Sequence, residues 1–176
     1  MAQAVDAKQN AQQVTAHQIN IQVAKQLANL VKSTLGPYGM DKEMVDAAGS
    51  VLMTNDGATI LKETKLNHPT AKIITEVART QEENCYDGTT SSVVITGEMM
   101  DKASDLLDMK IHPTRIAKGY NIANSKAQEL LEGIAIDVDD ELLLSVAKTA
   151  MTGKSAESSG DSLAQIALDV AKSTTI

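Results

Sequence analysis

The sequence has no phenylalanine, no tryptophan and only three tyrosines. Any core built from it is aliphatic, with eight methionines to fill irregular gaps. Cys85 is the single cysteine, so no internal disulfide can form and no zinc site can be made from cysteine pairs. His17, His68 and His112 have neither ligand spacing nor neighbouring ligands, which argues against a histidine metal centre. Basic residues number 16 against 23 acidic ones, a formal charge of −7, and they form no stripe. A nucleic-acid backbone needs clustered cations, so no nucleic acid is expected as a partner. No apolar run approaches membrane-spanning length, and the N-terminal "MAQAVDAKQNAQQVTA" lacks the apolar centre of a signal peptide. The expectation is a soluble, cytoplasmic protein with no membrane partner. A small phosphate ligand remains compatible with the acidic charge, because backbone N–H groups and a bound metal can neutralise it.

What is present suffices for a real core. The 176 residues, 43% of them apolar, make one domain, or one domain and part of another. The first dozen residues, rich in Gln and Ala, are expected to be loose. A helix is predicted from about Gln18 to Thr34, with Val23, Leu27, Leu30 and Val31 on one face. It stops at "TLGPYG". From Lys42 to Asp56, two short apolar pieces flank "DAAGS" and read as a β-hairpin. A short helix then follows Asp56 and Gly57.

Longer helices come next. "HPTAKIITEVARTQEEN" and "HPTRIAKGYNIANSKAQELLEGI" both place proline in the first turn, where its missing N–H costs nothing. The second carries Ile116, Tyr120, Ala123, Ala127, Leu130, Leu131 and Ile134 as a stripe. Between them lies "TTSSVVITGEMMDKASDLLDM". "DVDDELLLSVAKTAM" is a further helix, "TGKSAESSGD" a polar loop, and a last helix starts near Ser162. It reaches Ile176 without a stop signal, so the chain reads as cut inside a larger design. A natural frayed end is the alternative.

Three glycine turns carry the chemistry. In "DGTT", Gly88 lets the backbone approach a ligand closely, and Thr89, Thr90 and Ser91 form a helix start with unpaired N–H groups and partial positive charge. Asp87 repels bare phosphate but suits a magnesium ion that bridges phosphates. The alternative is that Asp87 only caps the helix. "NDGAT" repeats the Asp-Gly-x-Thr form, and Asp56 there either orients a water for attack on a terminal phosphate or caps a helix. The corner in "TLGPYG" either stops a helix or presents backbone to a nucleotide. "TGKS" is not a Walker A loop, because Lys148 stands where the first glycine belongs and a helix precedes it. Lys154 is either a point charge for phosphate or a solvated lysine.

Together, "STLGPYGMDKEMVD", "TNDGATILKE", "HPTAKIITEVARTQEEN", "DGTTSSVV", "HPTRIAKGY" and the "TGKS" loop resemble the N-terminal part of a group II chaperonin subunit of the archaeal thermosome type. They stand in family order and cover nearly everything after residue 15. The resemblance implies a mainly α fold: a chaperonin equatorial-domain-like helical bundle with a small β-hairpin, truncated at the start of the intermediate domain. Residues 1–142 would be the first half of the equatorial, ATP-binding domain and residues 143–176 the start of the intermediate domain. The apical domain and the second equatorial half would be absent.

The resemblance also implies site roles. Asp87 would bind Mg2+, and Gly57, Gly88, Thr89, Thr90 and Ser91 would hold the phosphates of ATP or ADP. Leu35, Gly36 and Pro37 would line the nucleotide, Asp56 would help activate the hydrolytic water, and Gly153 and Lys154 would sense the terminal phosphate. The hairpin would join a sheet shared with a neighbouring subunit. Partners would be unfolded protein clients and the other subunits of a homo- or hetero-oligomeric double ring. ATP hydrolysis belongs to the full-length family and is expected to be weak or absent in this chain. A short, non-hydrolysing nucleotide-binding or ring-interacting protein derived from a chaperonin is the alternative. Two departures from the family pattern stand out. Tyr86 occupies the first glycine of Gly-Asp-Gly-Thr-Thr, where a positive φ would strain it, and Tyr38 replaces a common lysine.

Overall fold

The computed structural model of the chain describes residues 2–45, 48–153 and 157–174, with side chains from residue 16 onward. Along the described chain run α1 (Ala2–Lys32), β1 (Lys42–Val45), β2 (Val51–Thr54), α2 (Gly57–Glu63), α3 (Pro69–Cys85), α4 (Thr89–Asp108), α5 (Pro113–Ile134), α6 (Asp140–Met151), a 3-10 turn (Glu157–Ser159) and α7 (Gly160–Thr174). The expected mainly α fold with one small hairpin is therefore the observed one. No helix among the described residues is long and apolar enough to cross a membrane. The contacts divide into two compact units: Met1–Leu35 with Gly39–Lys118, and Gly36–Tyr38 with Gly119–Ile176. Residue 142, the expected domain border, falls inside α6.

The first unit packs α1, α2, α3 and α4 around an aliphatic core. Ala24, Leu27, Ala28 and Val31 of α1 meet Ala58, Ile60 and Leu61 of α2, Ala71, Ile74 and Ala78 of α3, and Val93 and Val94 of α4. Small residues dominate because the helices approach closely. A Cβ on Gly97 of α4 would overlap the Cβ of Ala28. Lys25 and Lys32 of α1 pair with Asp101 (2.6 Å) and Glu98 (2.7 Å) of α4 along the rim of this contact. Solvent reaches the half-buried first pair and the exposed second one and screens both, so they orient the helices more than they hold them.

Helix starts follow the sequence signals. His68 and His112 precede Pro69 and Pro113, and each imidazole Nδ1 accepts the backbone N–H two residues on, at 3.2 Å from Thr70 and 3.3 Å from Thr114. The repeated "HPT" is one helix-start solution used twice.

Other boundaries differ from expectation. The N-terminal segment expected to be loose is the start of α1, which extends back to Ala2. Ala, Gln and Lys are good helix formers, and no glycine or proline interrupts the run. The strands pair antiparallel from Lys42 with Thr54 to Val45 with Val51. Residues 46–47 of the expected turn lie outside the described residues. The polar loop before the last helix contains the 3-10 turn, and α7 starts at Gly160 rather than Ser162.

In the second unit α6 packs on α7, burying Ala164 and Leu168 and pairing Lys148 with Asp161 at 2.7 Å and Lys172 with Asp140. The stripe expected on α5 contributes only Ile116 to a buried position. Leu130, Leu131 and Ile134 remain exposed. Amphipathic spacing identifies the face of a helix that wants a partner, not whether the partner is there.

Candidate functional site

Asp56 ends the chain's exit from β2 and opens α2. Its backbone is extended, its own N–H donates to Thr54 Oγ1 at 3.1 Å, and its Oδ2 accepts the N–H of Thr59 at 2.8 Å. The capping role is thus real. The other carboxylate oxygen does something further: Oδ1 accepts the hydroxyl proton of Thr89, 33 residues on, at 3.1 Å. Beside this bond, a Cβ on Gly57 would lie 2.7 Å from Thr90 Oγ1 and 3.1 Å from Thr90 Cα. Only glycine lets the start of α2 rest directly on the start of α4. The two Asp-Gly-x-Thr turns therefore form one joint. Partial burial disfavours the charge on Asp56, but the donors from Thr59, Thr89 and the Ala58 backbone outweigh it and hold the carboxyl below its ordinary value.

The second turn begins where α3 ends. Tyr86 adopts the left-handed conformation, φ 56° and ψ 9°, and its N–H donates to the Glu82 carbonyl at 2.9 Å. The positive φ is present, and a tyrosine bears it with its ring in solvent. Asp87 does not cap α4. The N-cap is Gly88, with φ 79° and no side chain to offer. The Asp87 Oδ1 instead accepts the Gly88 N–H at 2.7 Å, and the Asp87 carbonyl accepts the Gln81 amide at 2.9 Å. The first helical bond runs from the Ser92 N–H to the Gly88 carbonyl. The N–H groups of Thr89, Thr90 and Ser91 are left at the positive end of a 20-residue helix, uncapped by any side chain. Thr89 commits its hydroxyl proton to Asp56, so its backbone N–H is what it can offer an anion. The hydroxyls of Thr90 and Ser91 have no protein partner among the described residues.

This donor set fits phosphate with magnesium better than a metal alone. Among the described residues no group of three or more His, Cys, Asp and Glu side chains could hold a metal ion. Magnesium usually takes one or two carboxylates and completes its shell with phosphate oxygens and water. Asp87 is exposed and its Oδ2 has no protein partner among the described residues, so it can supply one such carboxylate.

The remaining sequence candidates fall elsewhere. Leu35 follows α1 in a turn closed by the Met40 N–H on the Ser33 carbonyl at 2.9 Å. In the second unit, Gly36 has φ 82°, and Gly153, at φ 75°, lies so near Pro37 that a Cβ would overlap the Pro37 carbonyl. The glycine-proline corner and the "TGKS" loop thus touch. Lys154 lies outside the described residues. Sequence reasoning missed Gln81, because nothing in its spacing marks a residue six positions before Asp87 as part of the turn.

Comparison with known proteins gives the frame. The model of the TCP-1/cpn60 chaperonin family matches residues 27–175. The chain is 52% identical over 158 residues to the thermosome subunit beta of Methanothermobacter thermautotrophicus. It is 51% identical over 160 residues to a Pyrococcus horikoshii thermosome subunit and 52% identical over 160 residues to an Archaeoglobus fulgidus thermosome subunit beta. Each alignment covers 89% of this chain and 29% of the relative, so the chain spans less than a third of their length. With a family match over most of its length, thermosome subunits at about half identity and the helical fold with its hairpin, the chain belongs to the TCP-1/cpn60 chaperonin family, as the N-terminal portion of a group II subunit.

Proposed function

We propose that this chain supplies one side of a Mg-ATP pocket in a group II chaperonin subunit. The observation that carries the reading is the joint between the two turns, where Thr89 Oγ1 meets Asp56 Oδ1 at 3.1 Å and Gly57 rests on Thr90. A cap needs only one carboxylate oxygen; the second bond ties a carboxylate to an uncapped helix start. Phosphate oxygens of ATP or ADP accept the N–H groups of Thr89, Thr90 and Ser91 and the hydroxyls of Thr90 and Ser91. Gly57 lets the two turns meet, and Gly88 carries its turn at a φ of 79°. For Leu35, Gly36, Pro37, Gly153 and Lys154, nucleotide roles rest on the chaperonin resemblance alone.

Asp56 is held ionised and fixed in direction by its donors, so it would orient a water and take its proton as that water attacks the terminal phosphorus and the bond to the bridging oxygen breaks, that oxygen leaving with ADP. Asp87 holds Mg2+, which when bound neutralises charge on the phosphates. Residues 1–142 form the first half of the equatorial domain and 143–176 open the intermediate domain. The whole subunit uses ATP to fold unfolded clients in a cytoplasmic double ring of like or mixed subunits, with the hairpin paired to a neighbour. This chain alone binds nucleotide and turns it over weakly or not at all.

The test is thermal unfolding with and without Mg-ATP. Nucleotide at a hundredfold excess over its Kd stabilises by about 2.7 kcal/mol, so the wild-type Tm should rise by several degrees. Asp87→Ala should remove the magnesium-dependent part of that rise. No rise in the wild type would sink the reading.

A further inference from the structure

We propose that Gln81 is a positioning residue for the metal-binding turn, acting through the peptide unit between Asp87 and Gly88. The inference rests on the nucleotide reading above. The carbonyl of that peptide, from Asp87, accepts the Gln81 Nε2 amide at 2.9 Å, and its N–H, from Gly88, donates to Asp87 Oδ1 at 2.7 Å. The plane is clamped on both edges.

The clamp matters because the flanking backbone is soft. Gly88 sits at φ 79° and reorients more readily than any other residue. A flip of the 87–88 peptide would turn its N–H away from the Asp87 carboxylate and release that carboxylate to rotate. Gly88 is also the N-cap of α4, with no side chain to fix it, whereas the N–H groups of Thr89, Thr90 and Ser91 are set by the helix that follows. The Gln81 side chain does more than donate. Its Nε2 lies 3.1 Å from where a Cβ on Gly88 would be, and its Cδ and Cγ follow at 3.8 and 3.9 Å, so it runs along the bare face of the glycine. Gln81 stands on α3, whose Ala71, Ile74 and Ala78 are core residues. A rigid helix thus reaches past the strained end at Tyr86 to fix the turn that follows it.

The consequence is specific to the metal. Losing the clamp frees the Asp87 carboxylate first, whereas metal-free nucleotide depends on α4 itself. The experiment measures the affinity of the 176-residue chain for ATP by calorimetry, in excess Mg2+ and in EDTA, with Asp87→Ala as reference. Gln81→Met keeps the length and removes the donor. It should weaken Mg-ATP binding about tenfold, equivalent to about 1.4 kcal/mol, leave affinity in EDTA within twofold, and leave the unliganded Tm unchanged. Gln81→Glu, which turns a carboxylate toward the Asp87 carbonyl, should weaken Mg-ATP further.

Unchanged Mg-ATP affinity in Gln81→Met, while Asp87→Ala loses it, overturns the proposal and leaves the pocket standing. Equal losses with and without Mg2+, accompanied by a lowered Tm, also overturn it, because the glutamine then only supports the fold. No ATP binding by the wild type removes the pocket and the proposal together.

Discussion

Asp56 and Tyr86 show how single residues set the two turns. The two oxygens of Asp56 serve two helices, so Asp56→Ala removes both a cap and a tie. A lost cap typically costs about 1 kcal/mol, and urea unfolding at neutral pH should show a loss of at least that size. Its pH dependence has a definite sign. The folded carboxyl lies below its ordinary 3.8, so its contribution is fully present above pH 3.8 and fades as the pH falls through the lower folded value. The gap between wild type and Asp56→Ala should therefore be flat from neutrality down to that point and narrow below it. A gap that widens in acid would contradict the hydrogen bonding described. Tyr86 has the opposite economy. A non-glycine residue in the left-handed region is strained by roughly 1–2 kcal/mol, and glycine returns about 0.5–1 kcal/mol of that through its unfolded-state freedom. The ring is 87% exposed and loses little packing on removal. Tyr86→Gly should thus raise Tm by one to a few degrees, at about 2–4 °C per kcal/mol for a chain of this size. A lower Tm would mean that the ring makes contacts its exposure does not suggest.

The contact between α1 and α4 closes directly on Gly97 and Ala28, and it can be read as a pair. Gly97→Ala gains helix propensity of about 1 kcal/mol but forces a methyl into Ala28, and overpacking of this kind costs about 1–3 kcal/mol. A net loss of stability is expected in urea unfolding. Adding Ala28→Gly should recover part of it, although Ala28→Gly alone destabilises. Additive effects would show that the helices part freely and the contact is not limiting. The elements themselves were largely legible in the sequence. Proline after histidine marked the starts of α3 and α5, two short apolar pieces flanking "DAAGS" marked the hairpin, and the spacing of Leu27 and Val31 marked the buried face of α1. The pairings were not legible. Nothing local says that Asp56 meets Thr89 or that Gly97 meets Ala28, because such contacts are fixed by how helices cross, over separations of 33 residues and more. The start of α1 was missed for another reason: polar, alanine-rich sequence has helix propensity without an apolar face.

On the scale of the whole chain, the apolar surface is unevenly covered. The first unit buries a continuous core, while Leu130, Leu131 and Ile134 of α5 lie open in the second. Exposed apolar clusters of this kind promote association. Sedimentation velocity should show the apparent mass rising with concentration, and Leu131→Gln with Ile134→Gln should suppress the rise. A concentration-independent monomer in the unmodified chain would count against the face being sticky. Binding by both turns at once is the central claim, and the most direct measurement is a titration of the backbone amide NMR spectrum with Mg-ATP. The account predicts that the amides of Thr89, Thr90 and Ser91 shift along one saturation curve with those of Gly57, Ala58 and Thr59. Shifts confined to one turn, or none at saturating Mg-ATP, would contradict it.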